Sequence, residues 1–223
     1  TTGGGPQWNP GFSTNHSASF FFNWGILSTN LNADLNTLKD GIHRLLNPPR
    51  PSKKDDAEQA SDPNKDACAI NVLSPLASIG FNMNDFFNYL EKGSDFFDGT
   101  SSMRDANAYF ANNLMAGSSS IPAGTTIAGL WPLLPGPPNA LTSFSMSATR
   151  LTVAFNPATA TSSVGLLFHE ALHGYGASLN GGKSAGRFSD ASLMALFGLK
   201  GRGTSQITKF INDNCGAYFN SLP

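Results

Sequence analysis

The residues of this chain best suited to chemistry are two histidines four apart with a glutamate beside the first, His169-Glu170-Ala171-Leu172-His173. On an α-helix four residues turn through roughly 400°, so the two imidazoles lie one turn apart and nearly eclipsed. That spacing lets both rings ligate one tetrahedral ion, and Zn²⁺ is the ion such a pattern takes. Glu170 stands one step round from His169 and can lean over the open position, where a base would take a proton from water. The chain has only four His and three Glu among 223 residues, so chance would give the pattern about once in a thousand such sequences. The bland alternative is a helix with one buried and one exposed histidine, which makes poor core filling.

A site of this kind needs a helix beneath it and neighbours that hold the helix still. Val164, Leu167, Phe168 and Leu172 supply a helical apolar stripe. Thr161 to Ser163 offer N-caps, and Gly174 and Gly176 offer a stop. Leu151-Thr152-Val153-Ala154-Phe155 alternates as a half-buried strand and runs through Asn156-Pro157 towards the motif.

Strand, short loop and a helix bearing His169-Glu170-Ala171-Leu172-His173 resemble the zincin metallopeptidases over about residues 150–198. The resemblance implies two zinc ligands and the base from this helix, with a third ligand from further along. It implies an α+β fold: zincin-like, mostly helical, a small sheet packed on the motif helix, and an active-site cleft between upper and lower lobes. One metallopeptidase domain would then span 1–223, with a loose arm at 1–18, an upper lobe at 19–176 and a C-terminal lobe at 177–223.

The third ligand separates the zincin branches. A metzincin would carry His or Asp at position 179, where this chain has Leu179. A gluzincin would take a later Glu, and none follows Glu170; the aspzincin Gly-Thr-x-x-Asp pattern is absent. The carboxylates after His173 are Asp190 and Asp213. Asp190 shares a helical stripe with Leu193, Met194 and Phe197, where an unpaired carboxylate is costly and a metal relieves it. Asp213 stands four residues after Lys209 and suits a surface ion pair. The expected cage is therefore one Zn²⁺ held by His169, His173 and Asp190, a gluzincin-like layout with Asp in the place of Glu; the other reading of Asp190 is a helix N-terminal carboxylate favoured by the backbone dipole. Glu170 is the expected base, with Tyr175, Arg187 and Tyr218 as unranked donors to the oxyanion or substrate. Tyr175 suits packing beside the helix end equally well. An extended peptide or protein substrate would lie along an edge strand, at 151–155 or near 126–131.

Composition bounds the rest. With 40% hydrophobic residues the chain can bury a substantial core. A net charge of −1 gives no case for nucleic acid or an anionic membrane surface, and no run approaches the length of a membrane span. Charged residues are only 13%, the start lacks Met, and there are two cysteines; together these suggest a secreted protein, and a monomer is expected. Cys68 and Cys215 in such a chain read as a disulfide, the other reading being two buried thiols.

Upstream, Leu27, Leu31, Leu35, Leu38, Ile42 and Leu45 mark a helix ending at Asn47-Pro48-Pro49, with His43 off its stripe. Asp62 to Asp66 echo a calcium loop but lack its glycine and its distal Glu, so a solvated connection is expected there. Segments 82–92 and 101–115 read as helices, and Ile121–Trp131 as β-prone. Asn15-His16-Ser17 fits a glycosylation sequon. A reading from another class is a secreted binding or adhesion module with an inactive or incidental metal site, its Trp8, Trp24 and Trp131 stacking on sugars. No Gly-x-Ser-x-Gly elbow, phosphate loop or dinucleotide fingerprint is present.

Overall fold

The computed structural model describes residues 29–48, 62–98, 106, 121–134, 140–142, 151–156, 163–182, 184–200 and 205–221. The expected arm at 1–18, the sequon, Trp8, Trp24 and nearly all of the 101–115 segment lie outside these residues. Helix α1 (Thr29–Leu46) buries Leu35, Leu38 and Ile42 and stops before the Asn47-Pro48 pair, as the apolar spacing requires. His43 is exposed on its outer side. Helix α2 (Pro63–Cys68) opens where a loop was expected. Asp62 caps it, its carboxylate accepting from Asn64 N at 3.0 Å, and Pro63 supplies a preset first-turn φ. A wider turn, Ala69–Leu73, continues into α3 (Ser74–Ser78).

Helix α4 (Met83–Asn88), capped by Asn82, widens through Tyr89–Gly93 and leads into β1 (Ser94–Asp98). Near its end Glu91 pairs with Lys39 of α1 at 2.9 Å, both side chains nearly buried. The β-prone stretch becomes helical from Ile127, after a turn at 123–124. Thr126 caps α5 (Ile127–Leu130) by accepting from Gly129 N, and a tight turn follows at Trp131–Leu133. Strands β2 (Ala140–Thr142) and β3 (Leu151–Phe155) precede the motif helix α6 (Val164–Leu179). After it come α7 (Asp190–Leu196), α8 (Ser205–Ile211) with a wide-turn extension at Asn212–Gly216, and α9 (Ala217–Asn220).

This corrects the α+β expectation. The described residues are dominated by helix, and strand is confined to three segments of five, three and five residues. They pair in the order β1-β3-β2, parallel then antiparallel, a patch too small to set the fold class. Described residues on both sides of position 176 share one core. Leu35, Phe86, Val153, Phe168, Ile207 and Phe219 belong to one hydrophobic cluster. The expected sheet came from the zincin resemblance; here the strands are short and the elements around α6 are mostly helical.

Helix α6 is the centre of that cluster. Every residue from Val164 to Ala177 is buried, and α1, α8 and β3 pack against it. Three glycines allow the close approach. A Cβ at Gly165 would strike the Asn212 amide, one at Gly174 the Tyr89 ring, and one at Gly176 the Ala185 carbonyl and Phe188. Gly174 and Gly176 were expected to end the helix. It runs on to Leu179 because tertiary packing outweighs the roughly 1 kcal/mol glycine penalty.

Cys68 and Cys215 form a disulfide across 147 residues, joining α2 to the extension of α8. In the chain-entropy view, closing so long a loop removes on the order of 5 kcal/mol from the unfolded state's advantage.

Candidate metal centre

Ser163 starts the motif helix as expected, its hydroxyl accepting from Leu166 N at 3.2 Å. Asn212 reinforces that end from α8: its carbonyl accepts from Gly165 N at 2.9 Å and its amide donates to Ser163 Oγ at 3.1 Å. One turn further along α6, His169 and His173 face the same way, with ring centroids 4.7 Å apart. His169 is 3% exposed, Glu170 8% and His173 9%. One ligand atom from each of the three lies within 4.8 Å of the others, so the group could hold a metal ion.

Asp190 comes to the same point from α7. Phe188 and Leu193 are buried on either side of it and anchor the start of that helix, and Ser189 breaks the chain direction just before it. The Asp190 Oδ1 atom lies 2.9 Å from His169 Nε2 and 3.2 Å from His173 Nε2. Ligands of a tetrahedral zinc stand about 3.3 Å apart, given bonds of about 2.0–2.1 Å. The two contacts are close to that spacing.

The outer nitrogens say which atoms are free for an ion. His173 Nδ1 is 2.6 Å from the Phe188 carbonyl, which can only accept, so Nδ1 carries hydrogen and donates. In the neutral ring Nε2 then holds a lone pair aimed at Asp190. His169 Nδ1 is 3.0 Å from Thr208 Oγ1 on α8. An imidazole nitrogen facing a carboxylate oxygen must either donate a hydrogen to it or share a metal ion with it. Without metal, protons take that place. Burial pulls the His173 pKa down, but the Asp190 hydrogen bond, the Glu170 and Asp190 charges and the Phe188 carbonyl outweigh it and raise it. Burial pushes Asp190 up, yet the two histidines hold its carboxyl far below the usual range.

The comparisons with known proteins found nothing: no family model, curated protein or solved structure matches the chain. The site therefore stands on its own geometry. Asp213 pairs with Lys209 on exposed surface, as its spacing implied.

The remaining candidate donors make other contacts. The Tyr175 hydroxyl accepts from Asn82 N at 3.2 Å, and its ring packs edge-on against Phe81, Phe86 and Phe188. Burial raises its pKa, as it does that of Tyr218. Arg187 donates to the Ile79 carbonyl. Arg44 lies over the Tyr218 ring, 5.0 Å from its centroid. The proposed substrate edges change too. Strand β3 is the middle of its three, and 126–131 is a capped helical turn. Trp131, a sugar-stacking candidate, is buried with Ile121, Ile127 and Leu130.

Sequence reasoning missed Thr208, Asn212 and the Phe188 carbonyl. The first two lie 39 and 47 residues from their partners, and nothing local to them marks a contact. Their spacing of four does place them on one face of α8.

Proposed function

We propose that the chain is a secreted zinc-dependent endopeptidase. The observation that carries the proposal is the meeting of His169 Nε2 and His173 Nε2 on Asp190 Oδ1, at 2.9 and 3.2 Å, beside a buried Glu170. Two imidazoles and one carboxylate are a donor set suited to Zn²⁺ and leave a fourth position open. A zinc ion held there would polarise the scissile carbonyl and acidify the attacking water. Glu170 would take the proton from that water and pass it to the leaving amine. His169, His173 and Asp190 hold their lone pairs on one point throughout, and the packing of α6 keeps Glu170 in place. Secretion is supported by the disulfide, which persists in oxidising compartments. Among the described residues no helix is long and apolar enough to cross a membrane.

The test pairs zinc stoichiometry with chelator-sensitive cleavage of a denatured protein. One zinc per chain is expected, with cleavage lost on chelation and regained on adding zinc. Glu170→Gln should keep the zinc and lose about 10²–10⁴-fold in kcat/KM. Full proteolysis by that variant would overturn the base assignment. A stoichiometric zinc with no hydrolysis by the native protein would instead favour a secreted binding module with an inactive site.

A further inference from the structure

We infer that Thr208 is a positioning residue for the metal centre: its hydroxyl accepts the Nδ1 hydrogen of His169 and so leaves the Nε2 lone pair for the ion that His173 and Asp190 would share. The inference rests on the metal reading above and adds to it a part of the chain outside the motif. Its basis is an asymmetry between the two rings. His173 is oriented by a main-chain carbonyl, Phe188 O at 2.6 Å, which leaves its Nδ1 no role but donor. His169 has in that place a hydroxyl, Thr208 Oγ1 at 3.0 Å, which can donate or accept. When Thr208 donates, the His169 hydrogen sits on Nε2 and blocks the ligand nitrogen. When it accepts, Nε2 is free. Loading the site therefore needs the accepting arrangement.

The placement of Thr208 is itself constrained. It lies between Ile207 and Ile211, both fully buried in the core that α6 shares. One turn on, Asn212 bonds Gly165 N and Ser163 Oγ at the start of the motif helix. A Cβ at Gly165 would collide with that amide. Helix α8 is thus clamped to α6 at two points, one turn apart on each helix. The hydroxyl is delivered to the ring by this clamp.

The experiment titrates the chelator-stripped full chain with Co²⁺, following its visible absorption, for the native protein and for Thr208→Val, Thr208→Ala and Thr208→Ser. Val and Ala remove the acceptor, and each should weaken Co²⁺ binding about 10–100-fold. Ser restores the hydroxyl and should bind within about threefold of native. Co²⁺ affinity for Thr208→Val and Thr208→Ala within threefold of native would overturn the role. So would an equal loss in Thr208→Ser, which would mark a packing role for the methyl group. If neither apolar variant folds, the zinc-loaded native protein decides. A downfield, hydrogen-bonded His169 Nδ1 proton supports the inference, and an unshifted one overturns it. Native protein that takes up no Co²⁺ at all would sink the metal reading itself, an outcome distinct from any difference among the variants.

Discussion

Asp190 does at the scale of one residue what the two-histidine motif cannot do alone: it supplies negative charge where two lone pairs converge. Asp190→Asn keeps the size but halves the donor character and removes the charge. It should weaken zinc binding by at least tenfold while leaving the far-ultraviolet dichroism unchanged, and calorimetric titration checks both binding and stoichiometry. The site also dictates an inverted pH response. In the metal-free protein the raised His173 pKa gives stability that is complete below the ordinary imidazole value of 6.5 and is lost as pH rises through the raised value. Asp190, depressed from 3.8, contributes above that value and fades only at much lower pH. Chelated protein should therefore melt at its highest temperature between about pH 4 and 6.5 and lose stability from there towards alkaline pH. With zinc in excess the trend over pH 6–8 reverses, since protons no longer compete with the ion. Melting curves across pH with and without chelator test this; a chelated protein that gains stability on going from pH 6 to 8 would contradict it.

At the scale of the element, helix α6 is held by the absence of side chains as much as by their presence. Gly176 faces the Ala185 carbonyl and Phe188, so Gly176→Ala must push main chain apart just before the turn that carries the His173 acceptor. A cost of about 1–3 kcal/mol is expected, read from urea unfolding, despite alanine's better helix propensity. A neutral or stabilising effect would show that the contact relaxes freely. The same glycines mark the limit of what the sequence disclosed. Ser163 as a cap, the eclipsed His169–His173 pair and the stripe of α1 follow from periodicity over a few residues, and all are present. The role of Gly174 and Gly176 depends on Tyr89, Ala185 and Phe188, which reach them from other elements. Local stop signals were therefore misread. Thr126 at the start of α5 taught the same lesson, since one capping oxygen made a helical turn of residues with strand-like composition.

For the molecule as a whole, among the described residues one cluster joins every helix but α5 around the motif helix, and the Cys68–Cys215 bond closes it covalently. Replacing both cysteines by serine should cost about 2–5 kcal/mol of stability. Because Cys215 sits in the extension of α8 that also carries Asn212, reduction should weaken metal retention as well as lower the melting temperature. Measuring zinc release to a chelator before and after reduction, below the melting transition, separates the two effects. The disulfide and the approach of Asp190 to the two histidines were legible because each rests on a scarce residue type: two cysteines in all, and two carboxylates after His173. The fold class was not legible. It depended on how much strand three short segments would form, and strand pairing is set by partners distant in the chain.

The Phe188 carbonyl that orients His173 belongs to the main chain, so no exchange of the residue at 188 can delete it; only a shift of the backbone can. The hydroxyl opposite His169 is a side chain and can be lost by a single codon change. Inherited variation can thus retune one half of the ligand pair in small steps, while the other half is insulated from all but insertions and deletions in the turn that bears it.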